Sequence, residues 1–186
     1  MTPAELFRTI IAMLEDAGIP HMLTGSFASA YHGAPRATQD IDLVIEANTD
    51  QVEALVRLLP PSAWYVDKDA ALEAVRTEGQ FNIIDRQWGW KIDLIVRKSR
   101  PFSEAEFRRR QTAELEGARI DVVTAEDLIV AKLEWAKAGG SRRQVEDVAS
   151  ILRVRSGELD LAMVESWVRA FGLEHEWLEA QALNSQ

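Results

Sequence analysis

Two apolar segments of this 186-residue chain carry aspartates where a strand would be buried, and no other feature constrains the fold as strongly. The first segment is DIDLVIE, residues 40–46, and the second is KIDLIV, residues 91–96. Aspartate is depleted in strands and is costly to bury without a partner. Because strand side chains alternate between two faces, Asp40 and Asp42 lie on one face and Ile41 on the other. This pattern indicates a sheet whose polar face serves a site.

The spacing of these carboxylates favours a metal site. Two carboxylates side by side repel each other, and a divalent cation between them relieves the repulsion. Oxygen ligands suit Mg²⁺ or Mn²⁺, which bind through a few carboxylates together with substrate phosphates. Asp93 joins Asp40 and Asp42 if its strand lies beside theirs, and three acidic groups then hold two metals, as in phosphoryl and nucleotidyl transfer. For Asp93 alone, a solvated face is an equally good interpretation.

The segment TGS, residues 24–26, precedes the aspartates and predicts an anion site. It is read as the end of a strand, a tight turn and the N-terminus of a short helix with Ser26 at or near its N-cap. Backbone N–H groups point outward at a helix N-terminus, and Gly25 allows close approach. Residues 27–39 are enough for that helix and a return loop to Asp40. We therefore expect a phosphate cradle and metal ligands to converge on one cleft.

Hydrophobic periodicity divides the chain into two parts. The first part alternates helices and strands, and the elements expected there are helices over 3–17, 26–33, 49–60, 67–79 and 103–115 and strands over 20–25, 40–46, 80–87, 89–97 and 118–123. The helix over 49–60 is expected to begin with Thr49 or Asp50 as its cap. From Thr124 onward the chain is almost wholly helical. The fold class expected is α+β (mixed α/β), with a core over residues 1–123 and a C-terminal helical region over 124–186 that packs on the same cleft.

The motif around the aspartates resembles the signature of the DNA polymerase beta-like nucleotidyltransferase superfamily. It contains an apolar residue, Gly25-Ser26, a spacer, and Asp40-Ile41-Asp42 in an apolar strand, followed by a later strand aspartate at Asp93. The resemblance implies the nucleotidyltransferase fold, a small mixed β-sheet flanked by helices. It also implies a chemistry, the Mg²⁺-dependent transfer of NMP from NTP to an acceptor.

A longer form of the motif narrows the resemblance. In PRATQDID, Arg36 and Thr38 precede the first aspartate, as in the minimal nucleotidyltransferases related to abortive-infection type IV toxins. The segments EDLIVAKLEWA and SRRQVEDVASIL are similar to the helical region of those proteins, where Lys132 and Asp147 would face the cleft. A solvated lysine is the alternative for Lys132, and an i, i+4 pair with Arg143 is the alternative for Asp147. The toxins commonly have glycine where this chain has a serine, and the superfamily allows both.

The resemblance assigns roles and partners. It implies that the catalytic and metal-ligating residues are Asp40, Asp42 and Asp93, and that the nucleotide-binding residues are Gly25, Ser26, Arg36, Thr38, Lys132 and Asp147. The cofactor would be Mg²⁺ or Mn²⁺ and the substrate an NTP. The acceptor would be RNA or tRNA, a protein or a small molecule. In the abortive-infection relatives the enzyme is a toxin, so an antitoxin is an implied partner.

Composition excludes several other classes. There is no cysteine, so disulfides, thiolate nucleophiles and cysteine-ligated metals are excluded. The net charge of −9 argues against sequence-independent nucleic-acid binding, which depends on phosphate neutralisation. No signal peptide or membrane span is expected, and a cytoplasmic protein is predicted. Two alternatives stay open, a non-catalytic nucleotide- or partner-binding module on the same fold and a metal-dependent phosphohydrolase, although the three histidines make the latter a poorer match.

Overall fold

The computed structural model describes residues 2–33, 38–115 and 117–184, which contain nine helices and seven strands. The helices are α1 (Pro3–Asp16), α2 (Gly25–His32), α3 (Thr49–Leu58), α4 (Lys68–Thr77), α5 (Pro101–Arg109), α6 (Ala125–Gly139), α7 (Arg142–Val154), α8 (Leu161–Phe171) and α9 (Glu174–Asn184). The strands are β1 (His21–Thr24), β2 (Asp40–Ile45), β3 (Trp64–Val66), β4 (Gln80–Asp85), β5 (Lys91–Val96), β6 (Gln111–Leu115) and β7 (Ala118–Val122). None of the helices in these ranges has the length and apolar composition that crossing a membrane requires.

The strands form one mixed sheet in the order β3-β4-β5-β2-β1-β7-β6. The pairs β2–β5 and β1–β7 are parallel, and the remaining neighbours are antiparallel. Strand β2 therefore lies between β1, which runs directly into α2, and β5, which carries the later aspartate. This order confirms the predicted α+β class with a mixed sheet, and it brings the two aspartate-bearing strands together.

The two faces of β2 and β5 differ as the alternation predicts. Ile41 and Leu43 of β2, and Ile92 and Leu94 of β5, are almost completely buried. Their neighbours in the chain point to the opposite face, and among these Asp40 is exposed. Burial of the aliphatic face stabilises the sheet by about 25 cal/mol for each Å² of apolar surface removed from water. On the opposite face the three aspartates lie beside apolar side chains such as Val44, which is also buried.

The chain divides into two compact units. The first falls within Met1–Ser26 and Thr38–Val123, and it contains the whole sheet together with α1, α3, α4 and α5. Its apolar core includes Leu6, Phe7 and Ile10 of α1. Helix α1 begins with a capping box in which Thr2 and Glu5 exchange hydrogen bonds between side chain and backbone.

The second unit falls within Phe27–Ala37 and Thr124–Gln186 and is helical. Helix α7 packs on α6 and on α9, and α8 packs on α6. All of α2 after Ser26 belongs to this unit. A Cβ on Gly33, which follows the helix, would lie 3.0 Å from Ser150 Oγ of α7. Thr124 caps α6, since its side chain accepts a hydrogen bond from Asp127 N, as the sequence predicts.

Two local predictions are wrong. The helix expected over 103–115 ends at Arg109, and Gln111–Leu115 pair with β7 as an antiparallel strand. The helix expected to begin with Thr49 or Asp50 is capped by Asn48, which forms a capping box with Gln51. Helix α2 begins at Gly25, so Ser26 lies at its start, as predicted. Strand β3 was not predicted, because three residues are too few to show an alternating pattern.

The strand β6 has a clear physical cause. Arg110, with φ −51° and ψ 146°, leaves the helical conformation, and Gly117 takes a positive φ of 71° near the return to β7. Two polar contacts to Asp121 then join the strands, since Arg110 Nε lies 2.9 Å and Thr112 Oγ1 2.7 Å from its carboxylate. Cross-strand contacts of this kind override the helical propensity of a charged segment.

Candidate functional site

Three aspartates, Asp40, Asp42 and Asp93, form what we call the carboxylate cluster. Asp42 and Asp93 are register partners on the parallel strands β2 and β5, so their side chains leave the same face of the sheet. Neighbouring strands lie about 4.8 Å apart, which makes these carboxylates immediate neighbours. Asp40 lies two residues earlier on β2 and shares that face. The juxtaposition expected from the two sequence segments is therefore present.

A lysine that the sequence interpretation did not single out lies within the carboxylate cluster. Lys91 is the register partner of Asp40, and its Nζ lies 2.8 Å from Asp93 Oδ2. The hydrogen bond to Asp93 raises the pKa of Lys91 above its ordinary value of 10.5, desolvation opposes this, and the charges of Asp93, Asp40 and Asp42 raise it further. The ammonium therefore lies in the electric field of all three carboxylates. Its position two residues before Asp93 was the available signal, because period two places both side chains on one face.

Gly25 is required by the position of Asp42. Its φ is +63°, a conformation that residues with a side chain rarely adopt. An ideal Cβ on Gly25 would overlap the Asp42 carboxylate and would lie 2.6 Å from the Asp42 Cβ. Because a Cβ moves only with its backbone, no rotamer of Asp42 removes this second contact. The glycine of the TGS segment thus lets the β1–α2 turn lie directly against β2.

The start of α2 is directed at the carboxylate cluster. The Ser26 N–H donates to Asp42 Oδ2 over a long distance of 3.4 Å. Negative charge is favoured at this end of a helix by the exposed N–H groups and by the helix dipole. The anion next to this turn in the structure is accordingly the carboxylate of Asp42. The predicted binding of nucleotide phosphates by Gly25 and Ser26 stays a prediction.

Arg36 and Thr38 precede the first aspartate and are predicted phosphate contacts. Arg36 lies outside the described residues. Thr38 lies inside them, and its Oγ1 accepts a hydrogen bond from Asp40 N at 3.2 Å and lies 3.4 Å from Asp40 O. The threonine side chain therefore fixes the backbone where β2 begins, next to the first carboxylate of the cluster.

Lys132 and Asp147 are joined within the helical unit. Lys132 Nζ on α6 lies 2.8 Å from Asp147 Oδ2 and 2.8 Å from Gln144 Oε1, both on α7. The Lys132 and Asp147 side chains are 4% and 9% exposed, so the alternative of a solvated lysine is wrong. Asp147 has Lys132 as an ion-pair partner. The predicted role of these two residues in nucleotide binding stays a prediction.

A row of four polar side chains crosses the site face of the sheet. Asn82 on β4 is the register partner of Asp93, and Thr24 on β1 is the register partner of Asp42. The row therefore runs Asn82, Asp93, Asp42, Thr24 across four neighbouring strands. Directly opposite residues of an antiparallel pair share a face, which places the amide of Asn82 on the β4 side of the carboxylates. The sequence interpretation missed Asn82 because strand order decides its neighbours.

The donor chemistry of the carboxylate cluster fits a divalent cation. Carboxylate oxygens are the ligands that Mg²⁺ and Mn²⁺ prefer. Among the residues that the structure describes, the Lys91 ammonium contacts Asp93 and lies near the other two carboxylates. Across the described ranges, no three His, Asp or Glu side chains are gathered closely enough to hold a metal ion as they stand. A metal ligated by Asp93 would therefore have to compete with Lys91 for this carboxylate.

Comparison with solved structures places this architecture among nucleotidyltransferases. The solution structure of the antibiotic-resistance factor ANT(2'')-Ia matches with a TM-score of 0.61 at 16% identity, over 96% of this chain and 96% of that chain. An antigenic nucleotidyltransferase-like protein from Paracoccidioides brasiliensis matches with a TM-score of 0.60 at 15% identity, over 98% and 92% of the two chains. The chain has the nucleotidyltransferase fold.

A third structure extends the comparison. The lincosamide antibiotic adenylyltransferase LnuA, bound to lincomycin, matches with a TM-score of 0.54 at 12% identity, over 83% of this chain and 98% of that chain. No protein-family model and no curated protein sequence matches the chain significantly. At these identities the likeness establishes the fold, and the predicted relation to abortive-infection toxins stays a prediction.

Proposed function

We propose that the protein is a divalent-metal-dependent nucleotidyltransferase, which transfers NMP from an NTP to a hydroxyl group of an acceptor. The observation that carries this proposal is the register of Asp42 with Asp93 on parallel strands, next to a turn at Gly25 that admits no side chain. Strand β2 supplies two carboxylates and β5 the third, which is the arrangement that in-line phosphoryl chemistry needs. The fold shared with other nucleotidyltransferases supports the same reaction class.

Each carboxylate has a separate role in the proposed reaction. Asp40 and Asp42 would hold the metal that accompanies the triphosphate, and Asp93 would complete a second metal position. When bound, Mg²⁺ or Mn²⁺ neutralises phosphate charge and lowers the pKa of an attacking hydroxyl. Asp93 accepts the acceptor's proton as general base, the acceptor oxygen bonds to the α-phosphorus, and pyrophosphate leaves. Thr38 positions Asp40 through the contacts with its backbone.

We propose that the two substrates bind on opposite sides of the carboxylate cluster. Gly25 and Ser26 lie on the β1 side of Asp42, where N–H groups of a helix N-terminus favour the phosphates. Asn82 lies on the β4 side of Asp93. In-line displacement requires the attacking and the leaving oxygen on opposite sides of the phosphorus. We therefore propose that the acceptor approaches from β4, where the Asn82 amide can bind its polar groups.

The acceptor that the observations favour is a small hydroxylated molecule. One similar structure is ANT(2'')-Ia in complex with adenylyl-2''-tobramycin, and another is the lincosamide antibiotic adenylyltransferase LnuA bound to lincomycin. The net charge of −9 is unfavourable for a tRNA acceptor, whose phosphates would need neutralisation. A toxin role with an antitoxin partner, and tRNA or protein as the acceptor, is the alternative that the resemblance to abortive-infection toxins implies. Arg36, Lys132 and Asp147 are proposed as further nucleotide-binding residues on the resemblance alone.

The proposal is tested by label transfer. The protein is incubated with Mg²⁺ and each α-labelled NTP in turn, together with a panel of hydroxylated small molecules, total tRNA or cell protein. We expect label on a small molecule, with pyrophosphate released in equal amount, and no label with Asp42→Asn. Label on tRNA or protein would move the function to the toxin class. Metal-dependent nucleotide binding without transfer to any acceptor would favour the non-catalytic binding module.

A further inference from the structure

We propose that Lys91 is an internal counter-ion, which offsets part of the negative charge of the carboxylate cluster in the metal-free protein and releases Asp93 when a divalent cation binds. The proposal rests on the metal site proposed above and adds to it a residue that competes with the metal. It predicts that Lys91 weakens metal binding while it stabilises the metal-free fold. A lysine in an ordinary surface salt bridge would change neither the affinity for the metal nor the stability of the metal-free protein to a comparable extent.

The geometry places the ammonium where a cation is needed. Lys91 and Asp93 lie two residues apart on β5, so both side chains leave the site face, and the contact from Nζ to Oδ2 is 2.8 Å. Asp40, the register partner of Lys91, lies beside it on β2. Carboxylates therefore flank the lysine along its own strand and across to the next one.

The charges explain why the cluster needs this lysine. Asp93 is only 13% exposed and has Asp42 as its neighbour on β2, so water alone screens the repulsion between the two carboxylates poorly. Lys91 compensates one of the three negative charges and gives Asp93 a charge-assisted hydrogen bond. The Lys91 side chain is itself 41% exposed. Its flexible stem can therefore carry the ammonium into solvent when another cation arrives.

The same geometry sets up the competition. A divalent cation ligated by Asp93 would lie a few ångströms from an ammonium that contacts Asp93 Oδ2, and like charges at such a distance repel strongly. Metal binding therefore requires the Lys91–Asp93 contact to break or lengthen. In a protein without the lysine charge, this cost disappears and the affinity for the metal rises.

The experiment measures the affinity for Mn²⁺ alone, without nucleotide, by electron paramagnetic resonance, and the melting temperature in EDTA. Lys91→Met keeps most of the apolar stem and removes the charge. We expect this variant to bind Mn²⁺ about tenfold more tightly than wild type, because one close like charge is lost. In EDTA we expect it to melt about 2 °C lower or more, because Asp93 loses its partner. Lys91→Arg keeps the charge and is expected to resemble wild type in both measurements.

Lys68→Met is the matched control. Lys68 Nζ lies 2.8 Å from Glu53 Oε1, the same distance as in the Lys91–Asp93 pair, but this pair joins α4 to α3 in the same unit. Removing Lys68 should leave the affinity for Mn²⁺ unchanged. If Lys91→Met unfolds, Lys91→Gln replaces it with the same expected direction, since it also removes the charge.

The outcomes separate this proposal from the proposed function. If wild type binds Mn²⁺ and Lys91→Met binds it equally or more weakly, Lys91 is not a competing counter-ion, although the nucleotidyltransferase assignment survives. If neither wild type nor Lys91→Met binds Mn²⁺ and no label transfer occurs, the metal site itself is wrong and the counter-ion proposal falls with it. The proposal is supported if Lys91→Met binds Mn²⁺ more tightly than wild type while Lys91→Arg and Lys68→Met do not.

Discussion

Replacement of Gly25 by alanine tests whether the β1–α2 turn is built around Asp42. The positive φ of +63° alone should cost about 1–2 kcal/mol of unfolding free energy for a residue with a Cβ. The new Cβ would also overlap the Asp42 carboxylate and lie 2.6 Å from the Asp42 Cβ, so the turn or β2 must move. Overpacking of this kind typically costs a further 1–3 kcal/mol or so. We therefore expect Gly25→Ala to lose about 2–5 kcal/mol in total.

A second glycine isolates the steric part of this effect. Gly89, in the β4–β5 turn, has a similar φ of +73°, but a Cβ there would meet nothing within 4 Å. Gly89→Ala should therefore lose only the conformational part, about 1–2 kcal/mol. Urea unfolding followed by circular dichroism measures both variants, and thermal melting should separate them by about 2–4 °C for each kcal/mol. Equal losses for the two variants would refute the claim that Asp42 occupies the space beside Gly25.

The same pair of variants also connects structure to function. Because Gly25→Ala displaces Asp42, it should lower the affinity for Mn²⁺ and abolish label transfer even at temperatures where the variant is folded. Gly89→Ala leaves the carboxylate cluster in place and should keep both properties. A folded Gly25→Ala protein that binds Mn²⁺ as wild type does would show that the position of Asp42 does not matter for the metal.

The remaining predictions concern the helical unit, a helix cap and pH. Lys132→Met should cost about 3–5 kcal/mol of unfolding free energy, because it removes one member of a buried ion pair. Lys137→Met on the same helix should cost about 1 kcal/mol, and equal losses in urea unfolding would contradict a buried pair. Asn48→Ala should cost about 1 kcal/mol by the same assay, since α3 loses its N-cap, and no measurable loss would contradict that role. Because the pKa of Lys91 is raised in the folded protein, its stabilising effect is complete below the ordinary value of 10.5 and is lost as pH rises through the higher folded pKa. The difference in unfolding free energy between wild type and Lys91→Met should therefore shrink in alkaline solution. A difference that grows there would show that the charged form of Lys91 does not stabilise the fold.

The sequence predicts most elements of the sheet but not their neighbours. Alternation of apolar and polar residues marks β4, β5 and β7, because each buries one face, and the apolar residues of β1 and β2 indicate buried strands. It does not reveal that β5 lies beside β2, since strand order depends on long-range packing. The short strand β3 has too few residues to show alternation, and β6 lies in a charged segment whose helical propensity is overridden by pairing with β7.

The candidate site likewise contains residues that the sequence predicts and residues that only the structure identifies. Asp40 and Asp42 stand out in the sequence because a carboxylate in an apolar strand breaks a local rule, and such violations tend to fall at functional sites. Lys91 breaks no rule, because a lysine at the start of a strand is ordinary, and only the observed contact with Asp93 gives it a role. Asn82 needs the register of β4 with β5 before it can be placed next to Asp93.

The proposed function requires that the carboxylate cluster and the β1–α2 turn together bind a metal-complexed NTP. Isothermal titration with a non-hydrolysable NTP analogue tests it directly, with Mn²⁺ present and again in EDTA, for wild type and Asp42→Asn. We expect wild type to bind the analogue only when Mn²⁺ is present, and Asp42→Asn to bind it at least about tenfold more weakly. Binding that is independent of the metal, or equally strong in Asp42→Asn, would contradict it.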